Sequence, residues 1–396
     1  MLNFFSFLKI PFRGYSNSVE EDLDLFDEAF YQNFFKSYQI LTKKKSIYHF
    51  KKSNCYAVFD FKTVKEILKN KEFFSSENFE KDDKLILGSD GPQHSKAKKD
   101  LVTRINFLKP QNQSDFSEKY INQLLDYLFE NVTTENIAFD VVEQVVNPFV
   151  LNFILESYGI LPSYPSLDIL SSEISHRKKI ENINRIFQDK GLLGQIASDS
   201  FKQGSISDDL KNLLSDFHIG TIQEEDLINF LNVFIQAGVL TTSSLLVSCI
   251  LKFDLLDDEK INDDFYLNLF IDEVLRLYSP SQFVFRKVVK DFKKDKFILP
   301  AGSLIAISIG AANRDEEVFK NPMNFEINRN EKHLAFGTSS HRCVGEKVVY
   351  AIARAFIRKF YLDFYKLKNL KVENEYTFDN SIFIYKIKNL ILKSNG

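Results

Sequence analysis

The chain has 396 residues, a length that accommodates about two to three average domains or one large helical core. With 44% hydrophobic and 27% charged residues it is not collagen-like, mucin-like or wholly disordered. Basic and acidic side chains number 51 and 54, so no overall field directs the chain to nucleic acid, and three scattered cysteines cannot build a disulfide framework or a four-cysteine zinc site. A reduced, cytoplasmic protein is expected.

In chain order, the apolar start from Leu2 to Phe12 is broken by Lys9 and Pro11 and is followed by no small-residue cleavage site. A spanning helix needs about 20 apolar residues, so no stable membrane anchor is expected. Tyr56 to Phe61 has the aromatic and β-branched content of a short strand, and Val64 to Leu68 begins a helical pattern. A Ser-, Asp- and Gly-rich loop from Phe74 to Gly91 precedes a Lys-rich helix at about His94 to Ile105. Amphipathic helices are predicted over 119–130 and 141–160. The stretch from Pro162 to Ile219 has no reliable boundaries. Thr221 and Glu224 then have capping-box spacing, opening an apolar helix that runs to about Phe253 and should cross the interior. Another helix covers Asp264 to Tyr278 and stops before Pro280, whose ring disfavours a helical residue ahead of it. Short strands follow at Phe283 to Val289, Phe297 to Leu299 and Leu304 to Ile309. A last strong helix runs from Gly345 to about Tyr361. Helices outweigh strands, so the expected class is mainly α with a smaller β-rich portion.

The sharpest chemical signal is Phe336-Gly337-Thr-Ser-Ser-His341-Arg-Cys343-Val-Gly345, which ends where that helix begins. A cysteine just before a helix start meets unsatisfied N–H groups and the positive end of the dipole, which favour thiolate over thiol. The glycines let the backbone turn tightly. Cys55 and Cys249 read as ordinary buried thiols.

These residues resemble the cytochrome P450 family of haem-thiolate oxygenases, and the likeness spans roughly residues 55 to 365. It implies one cytochrome P450 domain over 1–396, with the first 50 residues unmatched. The resemblance makes haem b (iron protoporphyrin IX) the cofactor and Cys343 its iron ligand, with Phe336, Gly337 and Gly345 shaping the loop under the macrocycle. A thiolate ligand donates electron density that favours O–O cleavage. Within Gly91-Pro-Gln-His94-Ser-Lys-Ala-Lys98, the family pattern sets His94 and Lys98 against the haem propionates, Lys98 standing where Arg is commoner. Arg286, His333 and His341 fall on propionate-contacting positions as well. Cations there would neutralise carboxylates that are costly to bury.

Glu273-Val-Leu-Arg276 is weak alone, because helical i,i+3 pairs are common on surfaces. With Asn313-Arg314-Asp315, Phe319, Pro322, Phe325 and Arg329 downstream it fits the family's ordered meander. The implied role of Glu273, Arg276 and Arg329 is a buried structural triad.

Ala237-Gly238-Val-Leu240-Thr241-Thr242 resembles the family's oxygen-activating stretch. Gly238 would make room for a diatomic ligand, and a Thr241 hydroxyl can bond back to the Ala237 carbonyl. The family usually has an acid before the threonine, where this chain has Leu240. Water, Thr241, Thr242 or substrate must then replace the acid, or the reaction needs less protonation. Oxidative coupling, dehydrogenation and peroxide-driven oxidation stay open beside hydroxylation, and a non-catalytic haem binder stands further off. Ser339 replaces a usual glycine, and Val348-Val349-Tyr350 replaces Leu-Ala-Arg.

By position, Leu87, Val233, Gln236, Ala237, Phe283, Val284 and Phe383 are candidate pocket residues for a mainly apolar small molecule. Electrons are expected from NAD(P)H through a separate ferredoxin reductase and ferredoxin, the latter meeting a basic face of Lys96, Lys98, Lys99, Arg342 and Lys347. A monomer is the working expectation.

Overall fold

In the computed structural model, the described residues are 24–27, 30, 34–42, 47–76, 90–104, 115–130, 138–157, 236–294, 297–373, 376–378, 381 and 383–394. The capping box at 221–224, Leu87 and Val233 lie outside them, as do the first 23 residues. Among the described residues no helix is long and apolar enough to cross a membrane.

A short helix α1 (Phe34–Leu41) precedes strands β1 (Ile47–Phe50) and β2 (Cys55–Val58), which pair antiparallel. The predicted strand ends earlier than expected because Asp60 starts a helix. Its carboxylate accepts the Thr63 N–H at 2.8 Å and caps α2 (Phe61–Lys69). After β3 (Phe74–Ser75), the Lys-rich helix is α3 (Gly91–Arg104), and the two amphipathic segments become α4 (Asp115–Glu130) and α5 (Asn147–Ser157). Between these two lie β4 (Phe139–Asp140) and a π-helical turn at Val142–Val146. The interior helix is described from a second π turn, Gln236–Leu240, which runs into α6 (Thr241–Ile250). Then comes α7 (Asp264–Leu277), capped by Asp263 and ended at Tyr278 as the proline rule predicts.

Strands β5 (Phe283–Val288), β6 (Phe292–Lys294), β7 (Phe297–Leu299) and β8 (Leu304–Ser308) follow. β6 was not legible as the hairpin partner of β7. The main sheet has the order β1-β2-β8-β5-β3. β8 lies parallel to β2 and antiparallel to β5, so Ile305, Ala306 and Ile307 are buried from both sides and form its centre. A single turn of helix α8 (Ile309–Ala312) comes next, and the last strong helix is α9 (Glu346–Phe360), continued by a π turn at Tyr361–Lys366. The chain closes through β9 (Leu370–Val372), β10 (Thr377–Phe378), β11 (Ile387–Asn389) and β12 (Ile391–Ser394).

Helix α9 packs on α4, α6 and α7, and the aromatic rings of Phe149, Phe253, Phe356 and Phe360 meet at the centre of the largest core cluster. Beside it sits the triad implied by the sequence. The Arg276 Nε donates to Glu273 Oε2 at 2.8 Å and its Nη2 to Oε1 at 2.8 Å. Its remaining N–H groups go to the carbonyls of Asn313, Pro322 and Asn324, so all five donors of this 1% exposed guanidinium are used. Arg329 Nε adds a 3.0 Å bond to Glu273 Oε1, and its other nitrogens bind the carbonyls of Lys320, Asn321 and Asn324.

Removing one side of a buried pair strands the other, at a cost of about 3–5 kcal/mol. Glu273→Ala, which orphans two guanidinium groups, is therefore expected to abolish soluble folded protein. A wild-type unfolding midpoint for that variant in a thermal melt would contradict the assignment.

Candidate active site

The loop from 334 to 345 is built by short backbone bonds. Gly337 N–H donates to the Leu334 carbonyl at 2.7 Å, and Cys343 N–H donates to the Phe336 carbonyl at 2.8 Å, closing the loop on itself. Gly337 has φ +67°, open to glycine without strain. Ser339 has φ +61°, so the residue that departs from the family pattern keeps a left-handed backbone at the cost of a Cβ clash. Cys343 is an exposed residue just before α9 with its sulfur recessed toward the protein, and a Cβ at Gly345 would stand 3.9 Å from that sulfur.

The electrostatics correct one expectation. The N–H groups of Gly345 and Glu346 and the charge of Lys98 do pull the Cys343 pKa down, but the surrounding protein desolvates the recessed sulfur and the net direction is upward. A helix start alone does not make this cysteine a thiolate. A bound metal would, because a coordinating thiol loses its proton outright.

Helix α3, β3 and this loop bring a cluster of polar side chains together. His341 Nε2 lies 2.7 Å from Asp90 Oδ1 and 3.2 Å from Ser76 Oγ. Asp90 also accepts from Ser75 Oγ at 2.7 Å and Ser76 N–H at 2.6 Å. Although burial pushes the other way, the His341 and serine contacts hold its carboxyl far below the usual range. His94 is buried with its ring centroid 4.1 Å from that of His341, and burial followed by the neighbouring positive charges lowers its pKa to about 4. It is neutral at neutral pH. Asp90, Ser75 and Ser76 escaped the sequence reading, the one available signal being an acid directly ahead of a helix.

Two of the expected propionate contacts are placed elsewhere. His333 accepts the Ala335 N–H at Nδ1 (3.1 Å) and faces Asp272 Oδ1 with Nε2 (3.3 Å), which leaves no N–H for a propionate. Lys98 Nζ donates to the Ser340 carbonyl at 2.8 Å and the Arg342 carbonyl at 2.5 Å instead of pointing outward from the loop. Tyr350 also donates to Asp272, so the residue replacing the common arginine ties α9 to α7.

On the other side, Thr241 Oγ1 donates to the Ala237 carbonyl at 2.7 Å, as expected, inside a π turn of the kind that often marks functional sites. Ala237 is exposed and Leu240 half-buried. Thr242 is buried and Thr241 half-buried, so of the two residues Thr241 is the more accessible. Gly238 has a packing reason, since a Cβ there would come within 2.7 Å of Ile154 Cδ1 on α5. Among the pocket candidates, Phe283 belongs to the core, its ring lying among Phe30, Tyr38 and Phe59. Phe383 packs on Phe285, while Val284 stays half-buried on the opposite face of β5.

Comparison with known proteins agrees with this arrangement. The Cytochrome P450 family profile matches residues 252–393. Cytochrome P450 109 of Bacillus spizizenii is 27% identical over 328 residues, covering 78% of this chain and 79% of that one. Beta-dihydromenaquinone-9 omega-hydroxylase of Mycobacterium bovis is 22% identical and covers 85% and 72%. The substrate-free structure of cytochrome P450 CYP150A6 from Mycobacterium marinum aligns over 95% of this chain and 99% of its own, with a TM-score of 0.75 at 18% identity. The chain is thus similar to cytochrome P450s along most of its length, and its C-terminal third matches the family profile. It is a haem-thiolate oxidoreductase of the monooxygenase type, with haem as its cofactor.

The residues fit that group. Arg286, desolvated enough that its pKa falls, spends one bond on the Phe285 carbonyl and meets no carboxylate at hydrogen-bond distance among the described residues. The rest of its N–H fork suits a carboxylate of the cofactor. In this P450, Cys343 would ligate the iron, Arg286, His94 and His341 would hold the propionate edge, and Phe336, Gly337 and Ala237 would flank the ring. Cys343→Ser is expected to remove the red-shifted thiolate band from the ferrous carbonyl spectrum. Survival of that band would displace Cys343 as the ligand.

Proposed function

We propose that this P450 hydroxylates a mainly apolar small molecule, with Cys343 as iron ligand and electrons drawn from NAD(P)H through a separate ferredoxin reductase and ferredoxin. The observation that carries the reading is exposed Cys343 at the start of α9, together with the His94–His341 cluster and an Arg286 guanidinium that spends one bond on the Phe285 carbonyl. The haem supplies oxygen activation and hydrogen abstraction, and the protein supplies binding, orientation and protons. The relative named as a hydroxylase supports oxygen insertion over the coupling and dehydrogenation alternatives.

The chain's own part divides between the two sides. Ala237, Leu240 and Val284, none of them fully buried, offer aliphatic surface that would favour an apolar ligand. The Thr241 hydroxyl already donates its proton to the Ala237 carbonyl, so its oxygen lone pairs are left to accept from water. With aliphatic Leu240 beside it, the proton route passes through this hydroxyl and ordered water. On the loop side, Lys96, Lys99 and Lys347 are exposed and suit an acidic ferredoxin. Arg342 is bound to Glu346 at 2.5 Å and Lys98 is turned inward, so the basic face is narrower than the sequence implied.

A panel of apolar ligands scored by the haem Soret shift identifies what enters the pocket. Turnover of a hit with reductase, ferredoxin and labelled oxygen gas is expected to give product containing one labelled oxygen atom. Oxidised product without label would overturn hydroxylation. A second measurement addresses protons. General acids contribute about 10²–10⁴-fold, so Leu240→Asp should change the yield of product per electron consumed by about tenfold or more. An unchanged yield would rule out a proton-delivery role for this position.

A further inference from the structure

We infer that Lys98 is a positioning residue for the cysteine loop, a strap that holds the peptide entering Cys343, and not a contact of the cofactor's carboxylates. The inference rests on Cys343 being the iron ligand, as proposed above. Lysine has three N–H donors, and two of them are committed to the Ser340 and Arg342 carbonyls at 2.8 and 2.5 Å. The Arg342 carbonyl and the Cys343 N–H belong to one peptide unit. That N–H donates to the Phe336 carbonyl at 2.8 Å, so the plane leading into the cysteine is fixed at both ends.

Two physical consequences follow from this geometry. First, the carbonyl oxygens of residues 340 and 342 carry partial negative charge, and an ammonium bound to both keeps that charge compensated beside a sulfur anion. Second, the loop needs the restraint, because Ser339 holds a left-handed backbone at φ +61° that a glycine would adopt without strain. A strap across residues 340 and 342 opposes relaxation of that turn. The propionates would not need Lys98, since Arg286 retains unused donors. A compact ammonium on a flexible stem also suits two backbone oxygens better than it suits a planar carboxylate.

The test uses the haem-loaded protein and two rates. One is conversion of the ferrous carbonyl from its red-shifted thiolate band to the blue-shifted band of a protonated thiol. The other is release of ferric haem to excess apomyoglobin. Lys98→Met is expected to speed the spectral conversion about tenfold, the weight of one charge-assisted hydrogen bond, with haem release within about twofold of wild type. Lys98→Arg, whose fork can reach both carbonyls, should restore the wild-type conversion rate. Lys98→Gln serves as the second loss variant if the methionine protein does not fold. Faster haem release with an unchanged conversion rate would overturn the strap and return Lys98 to the propionates. A wild-type protein lacking the thiolate band altogether would instead refute Cys343 as ligand, so the two failures are distinct.

Discussion

A buried carboxylate surrounded by guanidinium groups is the constraint on which this structure depends. Glu273 lies 3% exposed and accepts four bonds, two from Arg276, one from Arg329 and one from the Glu326 N–H. Charges this deep are tolerable only when every donor is paired, because the desolvation cost of each ion is several kcal/mol. The pairing therefore dictates where the chain between 313 and 329 runs. Arg276 fixes the Asn313 carbonyl, the Asn313 side chain accepts the Leu334 N–H at 2.7 Å, and Leu334 accepts from Gly337. From Gly337 the loop closes through Phe336 on Cys343. The sulfur is thus placed by a continuous series of short bonds that begins at an ion pair on another helix.

The second organising feature is how the molecule distributes positive charge around that loop. His94 is neutral through burial, His341 is committed to Asp90, Lys98 spends two of its three donors on carbonyls, and Arg286 spends one bond on the Phe285 carbonyl. The departures from the family pattern gather in this same region. Ser339 holds a left-handed backbone that glycine adopts without strain, and Tyr350 makes a hydroxyl contact to Asp272 where the family pattern has an arginine. Asp272 in turn holds His333, whose ring lies near Phe336.

What could be read from residue order was what depends on near neighbours. Helix α7 was visible because its periodicity and the proline at 280 act within a few residues, and β5, β7 and β8 because β-branched and aromatic runs are bounded by turn residues. The strands β6, β9, β10, β11 and β12 are two to four residues long and carry no period of their own; pairing alone defines them. The π turns at 142–146 and 236–240 were equally invisible, since an added residue in a helical turn leaves the apolar pattern intact.

The amino-acid sequence by itself determined the class of chemistry and the candidate ligand, because a cysteine motif, a helix start and the Glu273–Arg276 spacing are set by covalent order. Tertiary structure alone decided which partner each long or ambivalent side chain takes. A lysine, a histidine or a phenylalanine carries the same local signal whether it meets a carbonyl, a carboxylate or another ring. Hence Lys98 turned to the loop, His333 to Asp272 and Phe283 to the core. Those choices depend on elements far apart in the chain, whose desolvated groups must all be satisfied at once.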